Sequence, residues 1–147
     1  MALTKRKDIL DQLLYRLGQI RLGSIYGTDL LTVARQRDTG AEPFSPEECW
    51  AANVRDGQAT VQHNVSDDEH ALPVSIELHA SSRVTLAEAE TALADLVHCI
   101  DTYNNWGGYA DGTNLESHEI DIIQTGDIIT AVLVDITINY TTDKGKI

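Results

Sequence analysis

The chain is poor in several things at once. Two cysteines, three prolines and a single phenylalanine occur among 147 residues, and aromatic side chains make up 5% of the whole. Two thiols, Cys49 and Cys99, are too few for the disulfide framework of a small secreted domain and fit free cysteines of the cytoplasm. No apolar run approaches the roughly 18 residues of a membrane span, and Met1 to Lys7 leads into an amphipathic segment rather than a signal-peptide core. The sequons at Asn64 and Asn139 then carry no meaning, and the expected place of synthesis and residence is the cytoplasm. Positive charge is scarce as well: 11 basic residues face 23 acidic ones, for a net charge of −12. Seven of the basic residues precede Gly40, and after it nineteen carboxylates meet four. Such a body is a poor duplex-DNA or anionic-membrane binder, because affinity there comes from Lys and Arg neutralising phosphates. Lys5-Arg6-Lys7, at a helix start, reads as a solvated cluster.

Catalytic signatures are missing in the same way. The chain holds no Gly-rich phosphate loop, no Gly-x-Ser-x-Gly and no His-Glu-x-x-His. Its histidines (His63, His70, His79, His98, His118) are dispersed; His79 and His118 fall on expected strands, where Glu116 or Glu119 could join them as metal ligands or all remain surface groups. Asp101, Asn104, Asn105 and Asp111 do not follow the calcium-loop order. Asp67, Asp68 and Glu69 are consecutive, so their side chains diverge. The expectation is a protein that is not an enzyme, with no catalytic residue, metal or cofactor.

What is present is periodicity. From Leu115 to Thr141 the chain reads as two strands joined at Gln124-Thr-Gly-Asp127, with Val132, Val134, Ile136, Ile138 and Tyr140 on one face. Asp135, Thr137, Asn139 and Thr141 take the other face, the pattern of a half-buried strand. Leu72, Val74, Ile76, Leu78 and Ala80 alternate in the same way behind Pro73. Leu30 to Arg37 and Cys49 to Val54 are shorter strands, Arg55-Asp56-Gly57-Gln58 is a turn, and Ala59 to Gln62 extends a hairpin. Thr4 caps a helix to Leu17 or Ile20, with Ile9, Leu10, Leu13, Leu14, Leu17 and Ile20 as its stripe. Thr85-Leu86-Ala87-Glu88 is a capping box for a second helix. Its apolar face is Leu86, Ala89, Leu93, Leu96, Val97 and Ile100, and Trp106 packs back on its end. The remaining segments are loops: Asp38 to Glu48, with Phe44 between two prolines, and the acidic Asn64 to His70. Phe44 reads either as an anchor of its loop onto its own domain or as a contact with a partner. The expected fold is a single α+β domain over residues 1–147, a mostly antiparallel sheet of four to five strands with two helices packed on one face.

This order of elements resembles the tail terminator, or tail completion, proteins of long-tailed bacteriophages. The likeness runs over essentially the whole chain, from the helix Asp8 to Leu17 through Leu72-Pro-Val-Ser-Ile-Glu-Leu-His79 to the hairpin ending Ile136-Thr-Ile-Asn-Tyr140. The resemblance implies a structural subunit of the virion, assembled in the host cytoplasm, that forms a hexameric ring at the neck end of the tail. Its implied partners are other copies of itself, the tail tube protein and the head-tail connector or stopper, with DNA passing through the lumen unrecognised. Head-tail connector and minor tail proteins share such layouts and stay open as alternatives; a small-ligand-binding regulatory domain is an alternative of another class. On the docking reading, the expected protein interface is Glu42, Phe44, Glu47, Glu48, Asp67, Asp68 and Glu69, with Arg35 and Arg37.

Overall fold

The structure is a computed structural model that describes residues 4–81 and 83–147, and for Thr125 the backbone alone. Its elements in chain order are α1 (Lys5–Leu17), β1 (Thr32–Arg35), a 3-10 turn (Pro46–Glu48), β2 (Ala51–Asp56), β3 (Thr60–His63) and β4 (Asp67–Ser81). Then come α2 (Leu86–Thr102), β5 (Gly112–Thr125) and β6 (Ile128–Asp143). The fold is α+β as expected, with six strands where four to five were foreseen. The sheet runs β1-β2-β4-β6-β5, and β3 adds to β4 beyond the end of β2. Every pair is antiparallel except β1 with β2.

The core lies between one face of this sheet and the two helices. Leu72, Val74, Ile76 and Leu78 of β4 face Ile138, Ile136, Val134 and Val132 of β6 as cross-strand partners, and all eight are buried. Ile9, Leu10, Leu13 and Leu17 from α1 and Ala89, Ala92, Leu96, Cys99 and Ile100 from α2 close onto them in one cluster. Thr4 caps α1 by accepting the Lys7 N–H at 3.1 Å, and Gly18 ends it. Thr85 accepts the Glu88 N–H at 3.2 Å at the head of α2. The Glu88 carboxylate takes the Thr85 hydroxyl at 3.1 Å, which replaces the reciprocal backbone bond of a full capping box. Trp106 is fully buried and donates from Nε1 to Thr113 at 2.8 Å.

Three expectations need correction. The buried face of α2 is turned toward Ala89, Ala92, Asp95 and Cys99, and Leu86 is exposed. Asp95 lies on that face, its carboxylate accepting the Gly27 N–H at 3.0 Å, which offsets part of the cost of burying it. Gly27 approaches closely enough that a Cβ there would meet Thr91 Cγ2 at 2.8 Å. Second, residues 67–70 are not loop but the first residues of β4, and the connection from β3 shrinks to a tight turn closed by Asn64 N–H to Asp67 O at 2.9 Å. The alternation there is real but written in polar letters: Asp68 and His70 point inward opposite Thr142 and Tyr140. Third, the Ala59 to Gln62 segment pairs with β4 and not with β2. Pro73 explains the handover, since a residue without N–H sits where the flank of β4 passes from β2 to β3 and only its carbonyl is used, by Gly57 at 2.8 Å.

The alternation of β6 gives a direct stability test. Ile136→Ala removes a fully enclosed side chain and is expected to cost about 2–5 kcal/mol in urea melts. Thr137→Ala, on the opposite and half-exposed side, is expected to cost under about 1 kcal/mol. Equal losses at the two positions would contradict the burial of one face only.

Candidate functional site

The loop after β1 is held by its own residues. Arg37 at its root pairs with Glu48 (3.0 and 3.2 Å) and donates to the carbonyls of Glu42 (2.8 Å) and Pro43 (3.1 Å). Its guanidinium lies 4.2 Å from the Phe44 ring centre, and Phe44 in turn packs on His79 at 5.1 Å between ring centres. Asn53 of β2 clamps the same root, accepting Arg37 N–H at 3.0 Å and donating to Arg37 O at 2.9 Å. Phe44 is 3% exposed, so of its two readings the structure shows the anchor onto its own domain. As a surface contact it is unavailable, because the loop folds its one large apolar group inward rather than presenting it. The acidic side chains that the loop presents outward are Asp38, Glu42 and Glu47.

Asp68 is likewise internal. It accepts from His63 Nδ1 (2.8 Å), the Gly145 N–H (3.1 Å) and Lys144 (3.2 Å), tying the end of β6 to the start of β4. These donors, His63 foremost and then the Gly145 amide, hold its carboxyl down at about 2. Asp67 is half-buried and bonded to Asn64, and Glu69 is exposed on the sheet face away from the helices. Asp56 takes two guanidinia, Arg6 at 2.7 Å and Arg35 at 2.9 and 3.0 Å, and Arg35 before Arg6 draws its carboxyl well below the usual range. Of the expected interface set, Phe44 and Asp68 are therefore buried, and Arg35, Arg37 and Glu48 are engaged within the chain. Glu42, Glu47 and Glu69 are the acidic residues of the set that are exposed.

Beyond the end covered by the Phe44 loop, the sheet face away from the helices is open. It carries Glu69, Ser75, Asp135, Thr137, Asn139, Ser117 and Glu119 at successive outward positions. Ser75 and Ser117 both donate to Asp135, at 2.5 and 3.1 Å. The Arg55 guanidinium on this side is bound to Glu77 at 2.8 Å. His79 is buried there, its Nδ1 bonded to Thr130 at 3.1 Å, while Nε2 stands 3.8 Å from Glu77 and is without a hydrogen-bond partner. The His79 imidazole and the Arg55 guanidinium together hold the Glu77 carboxyl down at about 2.

His79 and His118 do not come together: His79 is level with Ile123 across the sheet, and His118 with Ile76. Among the described residues no three His, Cys, Asp or Glu side chains converge as metal ligands. Burial pushes the Cys49 thiol up to about 11, so it carries no thiolate near neutrality. Four concavities among the described residues are open grooves of ≈ 460 to ≈ 710 Å³ on the surface. This arrangement orders loops and presents carboxylates. Sequence reading missed Asn53, Asp56 and Glu77 as the organisers, since their partners lie far off in the chain, though their place on inward or paired strand positions was a usable signal.

Asp68 yields a pH prediction. Its carboxyl is more acidic folded than unfolded, so its stabilisation is fully present above the unfolded value of about 4 and is lost as pH falls toward about 2. Asp68→Asn is expected to flatten the wild-type loss of stability across that interval in acid-titrated melts. A mutant curve parallel to wild type from pH about 4 to about 2 would show that these bonds are not formed.

Comparison of the chain with protein-family models and with curated proteins gives no match.

Proposed function

We propose that the chain is a structural subunit of a long-tailed phage, a tail terminator whose copies close into a ring on the end of the tail tube. The ring stops tube growth and docks the head connector; the protein acts by binding and not by catalysis. The observation that carries this reading is the one-sided sheet. Two helices cover one face; on the other the Phe44 loop covers the end around Asn53 and His79, and the rest is open and acidic, with Glu69, Glu119 and Asp135 exposed on it. The basic groups near that face, Arg37 and Arg55, are each held by a carboxylate. A ring that turns such a face inward repels phosphates, which lets DNA slide through without being gripped. The order of helix, short strand, acidic loop, two short strands, long strand, capped helix and terminal hairpin supports the same reading.

The test is genetic. In the phage that carries it, loss of the gene is expected to give tails of uncontrolled length that fail to join heads. Tails of normal length without heads would favour a connector or minor tail protein, and normal infectious particles would overturn the tail reading. Glu42→Lys with Glu47→Lys, both exposed, is expected to leave the melting temperature unchanged and to lower incorporation at the tail end. Wild-type incorporation of that double variant would remove the loop from the docking surface.

A further inference from the structure

α2 carries more apolar surface than the core takes up. Its buried face runs through Ala89, Ala92, Leu96 and Cys99, while Leu93 and Val97 on the neighbouring flank are only half-buried. Between that flank and β5 lies a groove of ≈ 470 Å³. It is lined by Ala94, Val97, His98, Ile100 and Asp101 of α2 and by Thr113 and Leu115 of β5. The groove is on the helix side of the sheet, since Thr113 and Leu115 stand opposite the buried Ile138 and Ile136. Leu115 is 42% exposed there. The Thr113 hydroxyl is already taken, accepting from Trp106 Nε1 at 2.8 Å and donating to Asn104 O at 2.6 Å. His98 packs edge-on against Tyr26, 6.1 Å between ring centres. Asp101 is the one carboxylate of the lining.

Charge around this groove is of one sign. The sixty residues from Val84 to Asp143 hold eleven carboxylates and no Lys or Arg, and they form α2, β5 and β6. Ten of the eleven are exposed, Asp95 being the buried one. Along α2, Glu90, Ala94, Val97 and Asp101 follow at steps of four, three and four, so they share one stripe. It is an apolar pair with a carboxylate at each end. Both carboxylates are exposed, and among the described residues neither is in an ion pair. Asp101 also stands in the last turn of α2, where the helix dipole is negative, and that turn has no basic residue. α1 is built the other way, with Arg16 in its last turn. Arg16 itself lies over the Tyr103 ring at 4.0 Å, and Arg83 precedes the opposite end of α2. A carboxylate at the negative end of a helix is repelled by it, and a cation from outside relieves that repulsion.

We propose that the groove between α2 and β5 docks a cationic, apolar segment of a partner protein, laid along α2 as an amphipathic helix. Its apolar side chains seat on Ala94, Val97 and Leu115, and its Lys or Arg groups meet Glu90 and Asp101, about 16 Å apart along the helix axis. Nucleic acid and anionic lipid are the wrong occupants, because both call for Lys and Arg on the protein. A bare metal ion is not held by a single carboxylate, and among the described residues no ligand cluster stands there. A second copy is a poor match: its exposed Leu22 and Ile25 come with Arg21, which already faces Asp29 at 3.7 Å. The inference does not depend on the tail reading.

The probe is a synthetic peptide of about 14 residues, with leucine at every third and fourth position and lysine between, added to the isotope-labelled full chain. Amide and methyl NMR shifts are expected to centre on Ala94, Val97, Ile100, Asp101 and Leu115 and to saturate below about 1 mM. Leu115→Asp separates seating from mere attraction, because it adds a carboxylate. Charge alone would hold or tighten binding, whereas loss of the apolar seat weakens it about tenfold or more. Asp101→Lys is expected to weaken binding about threefold or more, and most at low salt. Thermal melts check that each variant folds. Ala94→Glu, at an exposed position and again adding a carboxylate, repeats the test should Leu115→Asp fail to fold. Unchanged or tighter binding in the carboxylate variant overturns the proposal. So do shifts centred on Glu69, Glu119 and Asp135 of the open sheet face, equal binding of a peptide with serine for leucine, and no saturation up to about 1 mM. Self-association of the wild-type chain that Leu115→Asp abolishes in sedimentation would give the groove to a second copy and overturn it as well.

Discussion

The antiparallel ladder between β4 and β6 is the constraint from which the rest of the molecule follows. It pairs residues from Asp67 with Asp143 at one end to Ser81 with Ile128 at the other, and it fixes which side chains lie inside. Ile129 and Val132 both point inward although they are three positions apart, which strict alternation forbids. A bulge between Leu78 and His79 absorbs the extra residue, leaving Ala131 without a partner on β4 and restoring phase for Ile129 opposite Ala80. The same bulge keeps His79 outward, against Thr130 and beneath Phe44. The anchoring of the acidic loop is thus set by the register of strands from which it is distant in sequence.

Much of this was legible from residue order where a local rule decided the outcome. Thr4 and Thr85 mark helix starts because their hydroxyls answer orphan N–H groups within the same turn. The apolar alternation of β6 and of residues 72–80 names the core face directly. Failures come where the deciding partner is remote. Asp68 and His70 look like loop residues until Lys144, Gly145 and Thr142, more than seventy positions away, supply donors and a stacking neighbour in Tyr140. Asp95 looks like a wet helix position until the Gly27 amide is found against it. Phe44 carried two readings, and the choice depended on Arg37 and His79 closing over it. The candidate site was less legible than the fold for that reason: its organisers are pairs, and a sequence shows only one member at a time.

The distribution of carboxylates shows how an acidic sheet face is kept without self-repulsion. Directly opposite residues on neighbouring strands are the closest pairs on a sheet, and like charges there are destabilising. Each outward carboxylate here faces neutral neighbours: Glu69 stands opposite Thr141 and Gln62, Glu119 opposite Leu133, and Asp135 between Ser75 and Ser117. The serines also donate to Asp135, so its charge is spread over hydrogen bonds in place of a cation. Glu77, which lies half-buried, is the one that receives a guanidinium. The exception is Asp67 opposite Asp143 at the frayed end of the ladder, and there Lys146 reaches Asp143 at 3.8 Å. Carboxylates placed this way leave the net charge intact on the open face while removing its cost inside the sheet. A surface that gathers a cation brings carboxylates together; this one spaces them, so each is stabilised by its own neutral neighbours.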